Sequence, residues 1–419
     1  MKRKRKLLFM LFMAIAMLSI SFTALAADQG WVRKDGKYQY LDSSGYAITN
    51  TWKKSGEKWY YLGSDGYMAV NCLIDDGNYY IVNESGAMLT NQWAQAADED
   101  GEINWYYLQS TGKAKENGFL TINGKRYHFS ESKMDTGWVQ DGDTIYYLKS
   151  SGEITTGWKY IDDLGSDDVS LDEAGWYYFD SNGKMIKNTE KKIDNAYYVF
   201  DGNGLMLENW VKFKSGSDTI YKYYRPSNGD RVEGWVYLED KGSAEGRNTD
   251  EGWYYFKKGI AYTASYNTTS IASGYGVAKI NSEVYCFDQD GTMVTGKVNS
   301  SGSTWFYFDE SSGKMQQGKV TIKDSEDLDD GTYYFSDSGK IGEKGSSFTG
   351  VAKGYLYQNG ELVCAEAGMK YEKVTVNGKN YMVNESGKIV TSGTVKDDNG
   401  VKWKVTKNAD GSYTITKVS

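Results

Sequence analysis

The chain has 419 residues, of which 36 are Tyr, 13 Trp, 14 Phe and 48 Gly, against a single His, a single Pro and 3 Cys. Its formal net charge is −8, and an acidic chain is a poor partner for the phosphates of nucleic acid. One His and three scattered Cys leave little material for a zinc site, a Cys/His pair or a His-based triad, so neither a metal nor a cofactor is expected.

The basic run Lys2-Arg3-Lys4-Arg5-Lys6 precedes an uncharged stretch from Leu7 to Ala26. Ala24-Leu25-Ala26 before Ala27 fits a small-x-small cleavage site, so residues 1–26 read as a secretory signal peptide. The expected product is secreted, with no membrane attachment after cleavage.

A repeat dominates the remainder of the chain. Trp31, Trp52, Leu73, Trp93, Phe119, Trp138 and Trp158 recur at a spacing of about 20 residues. Each is followed by a polar turn, an aromatic cluster, a turn ending in Gly and an apolar residue. Trp52 leads to Trp59-Tyr60-Tyr61-Leu62, Gly66 and Met68, and Trp138 leads to Ile145-Tyr146-Tyr147-Leu148, Gly152 and Ile154. Further clusters at Trp105-Tyr106-Tyr107, Trp176-Tyr177-Tyr178, Trp253-Tyr254-Tyr255, Trp305-Phe306-Tyr307 and Tyr333-Tyr334 carry the pattern through most of the chain.

Aromatic residues favour strands, and Asp-Gly or Asn-Gly between two such runs signals a hairpin. Asp76-Gly77, Asn123-Gly124, Asp141-Gly142 and Asn377-Gly378 each stand just before a Tyr-containing run. A lone hairpin is marginal in water, so successive hairpins are expected to stack. The predicted fold is all-β: an elongated β-solenoid of stacked hairpins over residues 27–394, closed by a short β cap at 395–419, where Val401, Trp403 and Val405 alternate. Stretches 97–103, 162–174, 239–251 and 323–330 read as solvated loops. The acidic run Asp324 to Asp330 lacks the spacing of a calcium loop. Cys72, Cys286 and Cys364 read as unpaired, buried small residues. His128, in Tyr127-His128-Phe129, replaces the middle Tyr of a cluster and has no nucleophile motif beside it, so no catalysis is expected.

The unit from Gly137-Trp138 to Gly152, like that from Trp52 to Met68, resembles the cell-wall-binding repeat of Gram-positive surface proteins. That family includes choline-binding modules of autolysins and adhesins, glucan-binding repeats of glucosyltransferases, and repeats of clostridial toxins. The resemblance covers roughly Gly30 to Ile389. It implies a superhelix of hairpins outside the cell, attached to wall polymers, with catalysis in a separate domain that this chain has no room for. In the choline-binding branch the cage uses the leading Trp, the Trp of the cluster, an aromatic of the next unit and a nearby Met. Carried over, the site residues are Trp52 with Trp59, Met68 and Tyr80; Trp93 with Trp105; Trp158 with Trp176; and Trp235 with Trp253. Aromatic faces attract a quaternary ammonium through their quadrupoles. Leu73, Lys297 and Lys319 stand where the leading Trp is expected, which suits glucan, whose rings also stack on aromatics. The implied partner is choline on wall teichoic acid, or polysaccharide such as glucan. The alternative is a surface adhesin that contacts a host protein through the solenoid face and the inserted loops.

Overall fold

The computed structural model describes residues 29–162, 173–239, 243–244, 247–248 and 250–418. The expected signal segment lies outside them, as does most of the loop 162–174 and part of 239–251. The described residues form strands and turns, without a helix. They fall into two compact units, Met1–Thr189 with Phe200–Met206, and Glu190–Val199 with Leu207–Ser419.

The first unit is a succession of antiparallel hairpins. Thr51–Ser55 pairs with Lys58–Leu62, Cys72–Asp75 with Tyr79–Val82, Gln92–Ala97 with Ile103–Leu108, Gly118–Ile122 with Lys125–Ser130, Gly137–Asp141 with Thr144–Leu148, and Gly157–Ile161 with Gly175–Phe179. At Asn123-Gly124 both φ values are positive, 51° and 79°, the geometry that matches strand twist in a two-residue hairpin. Asp141 behaves differently from its Asp-Gly reading. It pairs with Thr144, so it belongs to the strand and Gly142, at φ 60°, opens the turn instead.

A second turn joins each hairpin to the next. The Asn83 side chain accepts from the backbone N–H of Ser85 and Ala87, at 3.0 and 2.9 Å, which holds an Asx turn. Gly86 follows in the left-handed region at φ 79°, and a Cβ there would stand 2.7 Å from the Met68 thioether. The apolar residue after the turn then reaches back: Met88 N–H donates to the Trp59 carbonyl at 2.9 Å, Met68 to Tyr38 at 2.7 Å, Ile154 to Arg126 at 2.9 Å and Met185 to Ile145 at 2.9 Å. One backbone hydrogen bond and one apolar side chain, Met or Ile, packed beneath the Gly of the following turn therefore recur as the link between neighbouring hairpins.

Strand alternation sorts the aromatics. In Trp105-Tyr106-Tyr107-Leu108 the Tyr106 and Leu108 side chains are fully buried while Trp105 is exposed. The same order holds at Trp176-Tyr177-Tyr178-Phe179 and Trp253-Tyr254-Tyr255-Phe256. The inward set packs in small clusters, such as Ile81, Tyr106, Leu108 and Ala114, where each large apolar side chain contributes about 1.5–3 kcal/mol.

The second unit departs from the regular period in two places. Thr269–Ala272, Tyr275–Ile280, Glu283–Phe287 and Met293–Val294 make a four-stranded sheet, and Gly318–Ile322, Gly331–Phe335, Glu361–Leu362, Tyr355–Gln358 and Gly350–Ala352 a five-stranded one. In the latter the Trp305 indole N–H donates to the Asn359 carbonyl at 2.9 Å, drawing the turn at Asn359-Gly360 back against earlier strands. Gly393–Lys396, Lys402–Lys407 and Tyr413–Val418 form a three-stranded sheet at the end of the chain. Cys286 is buried as expected, but Cys364 is exposed; it follows the strand Glu361–Leu362 in an irregular segment rather than pointing into a sheet.

Candidate ligand-binding grooves

The register places a Tyr opposite each leading Trp. Trp52 faces Tyr61 across its hairpin, Trp93 faces Tyr107, Trp158 faces Tyr178 and Trp235 faces Tyr255. A ring from the following hairpin completes the group. Trp52 has ring centroids 5.1 Å from both Tyr61 and Tyr80, at 61° and 62°. Trp93 meets Tyr107 at 5.3 Å and Tyr127 at 4.9 Å, and Trp235 meets Tyr255 at 5.1 Å and Tyr285 at 4.8 Å. Trp158 lies 5.1 Å from Tyr178 and 5.7 Å from Phe200. The contacts of Trp52 are edge-to-face, whereas Phe129 stacks on Trp93 at 5.7 Å, Phe287 stacks on Trp235 at 5.9 Å and Phe200 lies tilted against Trp158; all four Trp are half-buried. Burial first, and then the Asp76 charge, raises the Tyr80 hydroxyl pKa, keeping that wall neutral.

The second Trp of each expected pair is placed farther out. Trp59, Trp105, Trp176 and Trp253 are exposed at 40%, 43%, 45% and 45%, while every other described Trp is half-buried or buried. Trp105 keeps contact with Trp93 at 6.3 Å. Trp176 and Trp253 instead meet Tyr160 and Tyr237 at 5.6 and 5.5 Å, and those two Tyr are themselves exposed. The Tyr237 hydroxyl donates to Glu251 at 2.6 Å. Trp52 makes its ring contacts with Tyr61 and Tyr80, and Trp59 stands opposite Lys54. The Met68 thioether packs beneath Gly86.

Sequence reasoning missed the cross-strand Tyr of each group and the Tyr160 and Tyr237 partners. The first was within reach, because the third aromatic of a Trp-Tyr-Tyr run falls opposite the leading Trp once the hairpin register is fixed. The second had a weaker signal, an aromatic two residues after the leading Trp. His128 lies 2.5 Å from Asp135, which also accepts from Ser130 at 2.8 Å. No Ser, Cys or Thr nucleophile is placed on His128 by these bonds. Among the described residues no group of three or more His, Cys, Asp or Glu is placed to hold a metal.

At three hairpins without a leading Trp, led by Glu190, Lys297 and Lys319, charge fills the same place. Glu190 is the second residue of Thr189–Ile193, as Trp158 is of Gly157–Ile161. Its carboxylate accepts from Lys222 at 2.8 Å, Tyr224 at 2.7 Å and Arg231 at 2.9 Å. Burial works against the Glu190 charge, yet these hydrogen bonds outweigh it and hold its pKa below the usual 4.5. Lys297 and Lys319 set their ammonium groups 4.9 Å from the Trp305 ring and 4.6 Å from the Tyr355 ring.

Family models match several of these hairpins. A choline-binding repeat matches residues 48–87 and another 275–319, and a cell wall binding repeat matches 117–132, 136–154 and 174–185. The matched segments resemble choline-binding and cell-wall-binding repeats. Residues 48–87 of these repeats contain Trp52, Trp59, Met68 and Tyr80 together. Glucosyltransferase-S of Streptococcus mutans is 28% identical over 313 residues, and glucosyltransferase-I of Streptococcus downei 26% over 356. The alignments take in 74% and 75% of this chain but only 19% and 21% of those enzymes. Among solved structures, choline binding protein F of Streptococcus pneumoniae is 23% identical with a TM-score of 0.27, covering 81% of this chain and 99% of that one. The modular autolysin LytC of the same organism, solved with a synthetic peptidoglycan ligand, is 20% identical with a TM-score of 0.35, covering 57% of this chain and 52% of that one.

Proposed function

We propose that this chain is a secreted, non-catalytic wall-binding protein whose hairpins stack as an elongated solenoid, closed by the terminal sheet, and whose grooves hold a polymeric ligand at many points. The observation that carries the reading is the recurring group of a half-buried leading Trp, its cross-strand Tyr and a ring from the next hairpin, at Trp52, Trp93, Trp158 and Trp235. The ligand such a group suits is the quaternary ammonium of choline on wall teichoic acid, with about 0.5–2 kcal/mol from each good ring contact. Each groove is weak alone. Linked grooves on a polymer raise apparent affinity by about 10²–10⁴.

The exposed pairs Tyr160–Trp176 and Tyr237–Trp253 favour a second ligand chemistry on the same chain, since open aromatic faces beside a carboxylate such as Glu251 suit a sugar ring. The test is retention of the chain on purified wall, with free choline or dextran as competitor. Release by choline and loss of retention in Trp52→Ala support the ammonium grooves; release by dextran alone assigns the ligand to glucan. A chain that binds neither wall nor glucan overturns the proposal and leaves the adhesin reading.

A further inference from the structure

The hairpin Gly118–Ile122 with Lys125–Ser130 repeats the three-ring arrangement with different residues. Phe119 holds the leading place and faces His128 in register, at a ring distance of 4.6 Å. Tyr146 of the next hairpin lies 4.7 Å from Phe119. Arg126 stands two residues before His128, as Trp59 stands two residues before Tyr61 and Trp105 two before Tyr107. The residue at the position of the exposed cluster Trp is therefore a cation. Its guanidinium carbon sits 3.8 Å from the Phe119 ring centroid and 5.6 Å from that of Tyr146, within cation–π range of both. One guanidinium nitrogen donates to the Asn182 carbonyl at 2.9 Å, which ties the head group down.

We propose that Arg126 is an internal ligand: its guanidinium occupies the Phe119–Tyr146 slot, which is a latent site for a small quaternary ammonium that the native chain keeps closed. The inference rests on the ammonium reading of the Trp-led grooves, because it assigns the same ligand class to a slot of the same construction. It makes residue 126 the determinant of whether this hairpin contributes a site. A guanidinium tethered in the slot competes as an intramolecular ligand, so removing it should expose a site without any change in the surrounding rings.

The experiment is titration calorimetry of the full chain with choline and with tetramethylammonium, comparing the native protein, Trp52→Ala, Arg126→Ala and Arg126→Trp. The last restores the residue that the repeat uses at this position and covers the case in which Arg126→Ala fails to fold. The expected result is one additional equivalent bound by either Arg126 variant, and one fewer by Trp52→Ala. No gain in a folded Arg126 variant, with binding by the native chain intact, overturns the inference and leaves the proposed function standing. A gain in the Arg126 variants with no binding by the native chain supports the latent slot and overturns the ammonium reading elsewhere. No binding by any variant overturns both.

Discussion

Trp52 and Glu190 hold the same leading place in their hairpins, each the second residue of its first strand, yet the two hairpins meet the next one through opposite chemistry. Trp52 touches Tyr80, which pairs with Ile74, the residue after the leading place of its own hairpin. Glu190 binds Lys222, which pairs with Val211, again the residue after a leading place. An aromatic rung in one is an ionic rung in the other. The backbone link survives the exchange: Arg231 N–H donates to the Tyr197 carbonyl at 2.8 Å, just as Met88 donates to Trp59 at 2.9 Å. Scaffold and rung chemistry are thus separable, and the leading residue sets whether the rung at these two hairpins is aromatic or ionic.

The largest effect is expected at the ionic rung. In Glu190→Ala the Lys222 and Arg231 side chains, only 12% and 8% exposed, lose their common acceptor. Arg231 keeps Glu233 at 2.8 Å, but Lys222 is left without a carboxylate, and breaking a buried ionic cluster in this way costs about 3 kcal/mol, read as a lower midpoint in urea unfolding. The same rung carries a pH signature. Because the folded pKa of Glu190 lies below its usual 4.5, its contribution is complete above that pH and is lost as pH falls through the lowered value. Glu190→Gln should therefore show a shallower loss of stability on acidification than the native chain, and an unchanged acid limb would contradict the assignment.

At the aromatic rung, Trp52→Ala removes about 2–3 kcal/mol of packing and with it one ligand equivalent. The shared scaffold comes next in size. Gly86→Ala places a methyl against Met68 and forces a side chain onto a φ of 79°, costing about 1–3 kcal/mol. Paired with Met68→Ala, part of that cost should be recovered, since the steric partner is gone. Trp59→Ala should leave thermal stability nearly unchanged, because its side chain is 40% exposed, and lower wall retention alone. The smallest effect is expected at Tyr237→Phe, which loses an exposed hydrogen bond to Glu251 and should leave the melting temperature where it was.

The hairpins and their spacing were legible because the Gly and aromatic signals repeat at every unit, and each local preference agrees with its neighbours. The Asp141 turn was misread by one residue because Gly142 satisfies a two-residue turn from either register. Pairing leading Trp with cluster Trp followed a carried-over motif, and Trp93 does meet Trp105; the cross-strand Tyr61 opposite Trp52 and Tyr160 opposite Trp176 emerge only from the register. The ionic rung was hidden for another reason. Glu190 and Lys222 lie on successive hairpins, and neither residue signals the other until the two are stacked. Likewise, an Arg in a strand reads as a solvated cation, and only side-chain direction shows Arg126 folded over Phe119. The merged five-stranded sheet of the second unit draws on the indole bond from Trp305 to Asn359, which no periodicity encodes.

The proposed function makes an open, Trp-led group a ligand groove and a group holding its own cation a closed one. A crystal of the full chain soaked in choline tests this distinction directly. Ligand density is expected against the Trp52, Tyr61 and Tyr80 rings, with none between Phe119 and Tyr146. Density in the Phe119–Tyr146 slot with Arg126 displaced, or Trp52 rings left bare at saturating choline, would contradict it.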